Sequence, residues 1–258
     1  MREARPLMLE GGCFVTDLRA GLPERLGTMA IWDLIGRRTG AGAISLRTIE
    51  LAGGDSPAWR NPACDEVLYV LSGEARVFLD GHPHPISAET GVHVARGVAI
   101  HAEVRGPDPL VLVSSRCPDP GKPSMLATPS GSARTQEPAP IVRLADREAC
   151  PTGDRWYRVL VDADVGCREV TQFVGSIPPG RAPDHYHHYE EVLCILRGAG
   201  VMWAGATSAP VSEGSCIFLP RGQVHCVENT GDTDLRLLGV FYPAGSPAVR
   251  YDPSSPEA

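Results

Sequence analysis

The chain has 258 residues, enough for one large or two modest domains with a buried core, and its composition is not that of a disordered protein. Its 28 glycines and 24 prolines suit many short strands joined by tight turns, and a net charge of -7 without long basic runs excludes a general phosphate-binding surface, and with it nucleic acid as an expected partner. The opening MREARPLMLE places charges where a leader peptide needs apolar residues, and no apolar run is long enough to span a bilayer, so a cytoplasmic location away from membranes is expected.

In chain order, residues 43–51, 75–79 and 110–113 read as short strands, being β-branched or alternating and bounded by Gly, Pro or Asp. An apolar run, Val67-Leu68-Tyr69-Val70-Leu71, follows Glu66 and ends at Gly73, and Asp80-Gly81 marks a hairpin turn. His82-x-His84-x4-Glu89 resembles a loose ligand pattern. Its histidines alternate with Pro83 and Pro85, which cannot donate to an interior ladder, and it reads as a solvated loop. Residues 118–140 are rich in Pro, Ser, Gly and Thr without a hydrophobic period and read as a crossover or linker. Beyond it, a single helical turn is expected around 144–149 and further strands at 169–174 and 235–240. The eight cysteines form no C-x-x-C pair, and several sit within apolar runs, as reduced core thiols do.

The chain repeats itself. Residues 66–73 match residues 191–198 at an offset of 125, and the offset returns at Arg96-Gly97 and Arg221-Gly222. A tandem duplication follows, with an N-terminal unit at 1–117, the linker at 118–140 and a C-terminal unit at 141–258. The second copy carries two spaced patterns, His185-x-His187-x3-Glu191-x6-Gly198 and Gly214-x5-Pro220-x-Gly222-x2-His225-x3-Asn229. Residues two apart on a strand share a face, so His185 and His187 point together. Three imidazoles and a carboxylate suit iron, manganese, nickel, copper or zinc. In the first copy, Arg60 and Pro62 stand where the offset places His185 and His187, Ala95 replaces Pro220, and His101 falls one residue late. Only Glu66 survives, and a buried carboxylate there needs a partner such as Arg60. One metal per chain is therefore expected, in the second copy.

The paired motifs resemble those of the cupin superfamily, and the duplication resembles a bicupin with a degenerate first barrel. The resemblance implies an all-β fold of tandem double-stranded β-helix (jelly-roll) barrels, with His185, His187, Glu191 and His225 as metal ligands. Four protein ligands leave one or two coordination positions open to substrate, water or dioxygen. The donor set looks like that of cupin dioxygenases, which favours an oxygenase acting on a small metabolite. The alternatives are a redox-neutral hydrolase, lyase or isomerase, for which Glu190 and Asp184 are the nearby carboxylates that could act as base, and a non-catalytic ligand-binding bicupin. In size and organisation the chain also resembles ureidoglycine aminohydrolase-like bicupins. Their metal set begins with glutamate and ends with glutamine, unlike the set here. Substrate contacts are expected from either Arg168 and Gln172 or Glu169 and Thr171, while Tyr186, His188, Tyr189 and Glu190 are expected at the surface or in packing. A homodimer paired through exposed sheet edges is compatible with the resemblance.

Overall fold

The computed structural model describes residues 5–121, 124–126 and 139–253. Two β barrels lie side by side, each made of two antiparallel sheets. In the first, Glu24–Leu26, Met29–Ile35, Ser45–Leu51, Leu110–Cys117, Asp65–Ser72 and Thr90–Val94 pair in that order, facing a sheet of His82–Ser87, Glu74–Leu79, Ala99–Val104 and Ala58–Arg60. In the second, Cys150–Thr152, Arg155–Val161, Thr171–Ile177, Leu235–Tyr242, Glu190–Arg197 and Ser215–Leu219 face Gly180–Arg181, His225–Asn229, Ala199–Ala204 and Thr207–Ser212. Of the linker 118–140, Ser124–Leu126 is a strand on Ala58–Arg60, and most of the remainder lies outside the described residues.

Sheet membership cuts across the sequence units. Phe14–Asp17 pairs with Ser215–Leu219 of the second barrel, in register from Phe14 against Phe218 to Asp17 against Ser215. In return, Ile141–Arg143 pairs with Thr90–Val94 of the first. Each barrel thus extends one sheet edge with a strand from the other half of the chain, and Leu7–Met8 pairs outside Phe14–Asp17.

The repeated apolar runs are buried on both faces, which is why they show no alternation. In Asp65–Ser72, Leu68 and Val70 fill the first barrel while Val67 and Tyr69 face the second barrel. In Glu190–Arg197, Leu193 and Ile195 fill the second barrel while Val192 and Cys194 face back. The apolar layer between barrels includes Phe14, Trp32, Leu160, Phe218 and Val240. Gly91 permits this close approach: a Cβ there would lie 2.9 Å from Gln172 Oε1 and 3.0 Å from Leu160 Cβ. The glycine ending each run is required for a different reason. Gly73 and Gly198 turn with φ of +84° and +92°, and a Cβ on Gly73 would meet Pro109 O at 2.5 Å.

Two expectations need correction. His82–Ser87 is a strand, paired with Glu74–Leu79 in a hairpin. It sits at the sheet edge, where Pro83 and Pro85 cost no ladder bond. The partner of Glu66 is Arg47 rather than Arg60. Arg47 Nη2 lies 2.6 Å from Glu66 Oε1, with both side chains buried. Ser114 Oγ donates to the same oxygen at 2.5 Å, and Trp59 Nε1 and Asn61 Nδ2 donate to Oε2 at 3.0 and 2.6 Å. Burial pushes the Glu66 carboxyl up, but Arg47 and Ser114 outweigh it and hold the group below the usual carboxylate range. A guanidinium thus supplies positive charge inside the first barrel. All eight cysteines are free, and seven are buried. No helix among the described residues is long and apolar enough to cross a membrane.

Candidate metal centre

His185, His187 and His225 converge in the second barrel with ligand-capable atoms within 4.8 Å of one another. Backbone pairing sets this up: His185 N donates to His225 O at 3.0 Å, and His225 N donates to His185 O at 2.8 Å. The turn of the second motif docks on the first through Gly222 N to His187 O, 2.8 Å, which Gly222 reaches with φ of +77°. Nδ1 of His185 faces Pro183 O at 3.0 Å, and Nδ1 of His225 faces Gln223 O at 2.7 Å. Carbonyls only accept, so each Nδ1 carries the hydrogen and each Nε2 keeps its lone pair, the arrangement metal-bound histidines use. Nδ1 of His187 faces the backbone of Val249 without a well-formed hydrogen bond.

Glu191 enters beside His187, with Oε2 3.8 Å from Nε2, and lies outside the mutually close set of three. Its surroundings differ from those of its repeat partner Glu66. No guanidinium among the described residues compensates it, and burial pushes its carboxyl up to about 8. His187 and His225 are driven down to about 3, first by burial and then by neighbouring imidazoles. Three neutral imidazoles and an uncompensated buried carboxylate fit a divalent transition metal, which would supply the missing charge.

The centre opens into a cavity of about 130 Å³ lined by Phe173, Ile177, Leu193 and Val227 on its apolar walls and by Arg155, Tyr157, Tyr189 and Arg250 among its polar groups. Tyr189, expected in packing or at the surface, belongs to this site. Its ring stacks on His187 at 4.7 Å and on Phe241 at 4.3 Å, and burial raises its phenol far enough to keep it protonated. Tyr186 turns away to pair with Tyr251. That contact belongs to a C-terminal strap held by reciprocal Tyr186–Tyr251 backbone bonds of 3.1 Å, which brings Pro247, Ala248 and Arg250 to the cavity. Arg155 and Arg250 lie close enough to His185 to help depress it, after burial, its largest influence. Nothing in the motif spacing signals either arginine.

The candidate bases lie elsewhere. The Glu190 carboxylate accepts the backbone N–H groups of Gly42 at 2.8 Å, Ala43 at 2.7 Å and Ile44 at 3.2 Å, and so anchors a loop of the first barrel. Asp184 pairs with Arg181 at 3.1 Å on the surface. Neither lines the cavity. On Thr171–Ile177, Phe173, Gly175 and Ile177 face the cavity; Thr171 bonds to Gly245, and Gln172 faces Gly91 across the seam. Glu169 pairs with Arg96 at 2.6 Å, and Arg168 is outside the lining as well.

Two antiparallel barrels with a histidine cluster in one define the class: a tandem β-barrel protein whose second barrel gathers three imidazoles. Residues 173–241 match the family model described as Cupin domain. The chain is 39% identical over 68 residues to an oxalate-binding protein of Thermotoga maritima, covering 26% of this chain and 56% of that one. It is 32% identical over 86 residues to auxin-binding protein 1 of Arabidopsis thaliana, covering 30% of this chain and 43% of the other. The chain thus spans about half the length of the curated relatives it matches. A variant of Bacillus subtilis oxalate decarboxylase superposes with a TM-score of 0.75 at 12% identity, covering 94% of this chain and 81% of that one. A structure of the same enzyme, from work on its Mn(II) centres, gives 0.74 at 13% identity over 90% and 78%. The chain has the bicupin fold, and the stretch of its C-terminal barrel from 173 to 241 matches the Cupin domain model.

Proposed function

We propose that this bicupin is a metal-dependent enzyme acting on a small carboxylate in its C-terminal barrel, with His185, His187, Glu191 and His225 holding the metal. The observation that carries the reading is the pairing of a three-imidazole cluster, open to a small cavity, with two arginines at that cavity. A guanidinium is matched to carboxylate by charge and geometry, so Arg155 and Arg250 orient an anionic substrate toward the histidines. The cavity is well below the size of sites for drug-sized ligands, which limits the substrate to a small metabolite.

The lining favours lyase chemistry. Among the described residues of the lining Glu191 is the one carboxylate, which leaves no separate base there to activate a water. Loss of carbon dioxide asks less of the protein: the arginines hold the acid, the apolar walls exclude water, and Tyr189 retains a proton that it can donate. The bound metal would act as a Lewis acid toward the substrate oxygens. The oxalate-binding and oxalate decarboxylase proteins among the relatives support a carboxylate substrate. Oxygenase chemistry is the second reading, favoured by the three-histidine, one-glutamate donor set.

The test supplies manganese(II) or iron(II) to the purified protein with a panel of small carboxylic acids and measures carbon dioxide release and oxygen uptake. Release without oxygen supports the lyase reading, and strict dependence on oxygen supports the oxygenase. Arg250→Gln should weaken carboxylate binding about 10- to 100-fold, from the loss of one charged hydrogen bond, while the metal stays bound. Carboxylate affinity unchanged in both Arg250→Gln and Arg155→Gln would sink the substrate assignment.

A further inference from the structure

We infer that Asp65, His93 and Cys167 form a second divalent-metal site, set in the seam between the two barrels. The residues come from both halves of the chain. Asp65 opens the strand Asp65–Ser72, His93 lies on Thr90–Val94, and Cys167 follows the single turn Ala163–Val165, with its N–H held by Asp162 O at 2.9 Å. Their oxygen, nitrogen and sulfur atoms all lie within 4.8 Å of one another. None is at the surface: relative exposures are 8% for Asp65, 5% for His93 and 0% for Cys167.

The imidazole shows that the set is short of positive charge. Nδ1 of His93 faces Val165 O at 3.3 Å and must donate there, which leaves the Nε2 lone pair turned inward in the neutral ring. Nε2 has no hydrogen-bond partner among the described residues although His93 is buried, and Asp65 Oδ1 lies only 3.8 Å from it. Two acceptors facing each other in a dry seam need a cation between them, which can be a proton or a metal. Attraction for a proton is correspondingly strong. Burial works against the charged ring, yet Asp65 and Cys167 outweigh it and raise His93 to about 9.

Donor chemistry and charge then favour a zinc-like ion. Nitrogen, sulfur and carboxylate oxygen make up the ligand set of zinc, whose bonds of about 2.0–2.3 Å require the three atoms to close in by roughly 1 Å. Binding releases the Cys167 thiol proton, together with the imidazole proton where present. One carboxylate and one thiolate against a doubly charged ion leave the buried group neutral, which limits the cost of desolvation. Asp65 is already oriented for this, because Arg96 N donates to Oδ1 at 2.9 Å. The Arg96 guanidinium, 3.6 Å from Oδ2, is balanced by Glu169 at 2.6 Å. The ion would clamp the second barrel to the first, and the metal count becomes two per chain.

Cobalt(II) separates this site from the one in the C-terminal barrel, since only Cys167 brings sulfur to either proposed set. Protein produced in cobalt-supplemented medium is expected to bind two equivalents and to show near-ultraviolet thiolate-to-cobalt charge-transfer absorption. Cys167→Ser and His93→Gln should each lose that band and one equivalent, whereas His187→Ala should lose one equivalent and keep the band. Wild-type protein without the band overturns the inference whatever the variants do, leaving His93 and Asp65 as an imidazolium–carboxylate pair. A band that persists in Cys167→Ser overturns it too. Failure of the proposed enzyme activity leaves the band intact, so the two readings fail separately.

Discussion

Replacing Arg47 by Met removes the positive charge that keeps Glu66 ionised inside the first barrel. The pair lies at 2.6 Å with side-chain exposures of 2% and 0%, so the carboxylate left behind has no access to water. Breaking such a pair from one side costs about 3–5 kcal/mol. At about 2–4 °C per kcal/mol for a chain of this size, Tm falls by about 6–20 °C. The companion variant isolates the cause. Arg47→Met with Glu66→Gln removes both charges while the amide oxygen still accepts from Trp59 and Asn61, and it should recover at least half of the loss. Urea and thermal unfolding of the wild type, both single variants and the double variant at neutral pH close the cycle. A penalty below about 1 kcal/mol for Arg47→Met, or a double variant less stable than Arg47→Met alone, would refute the view that charge pairing fills the inert barrel.

Acid should probe the same group. Its folded pKa is depressed, so the stability Glu66 contributes is fully present above its unfolded value of about 4.3 and is lost as pH falls through the folded one; in Arg47→Met the loss on acidification should shrink or reverse, as read from Tm against pH. Manganese(II) at about 100-fold above Kd should stabilise the wild type by about 2.7 kcal/mol, or about 5–11 °C. Metal analysis and calorimetry of His225→Ala should show neither the bound ion nor that shift. Glu190→Ala should cost about 1.5–3 kcal/mol through its lost backbone contacts and leave turnover unchanged, whereas a loss of about 10²-fold or more in kcat would restore it as a general base.

The histidine triad was legible from its spacing, although His185 and His187 lie outside any regular strand and His225 reaches them through backbone bonds to His185. The offset of 125 pairs the apolar runs and identifies Glu66 as the structural counterpart of Glu191. Partners chosen across the fold were not legible. The offset aligns Arg60 with His185, but which arginine reaches Glu66 depends on Ser45–Leu51 facing the same interior, and that favours Arg47. Glu190 looked free because its acceptors' partners, Gly42 to Ile44, are close to 150 positions away. The alternation of His82 to Pro85 was misread because an edge strand tolerates proline on its open side. Arg250 reaches the cavity through a strap whose path depends on Tyr186 pairing with Tyr251, a tertiary contact with no local signature.

The borrowed strands bear on how such a chain is made and inherited. Phe14–Asp17 leaves the ribosome well before its pairing partner Ser215–Leu219, and Glu10 and Thr207, bonded at 2.8 Å, are separated by 197 positions. Phe14–Asp17 must therefore wait, undocked, until Ser215–Leu219 has been made. A gene trimmed to its second half would expose the edge of Ser215–Leu219 as a template for foreign strands. The barrel without the histidine cluster cannot simply be cut away, because the sheet of the other barrel is extended by Phe14–Asp17.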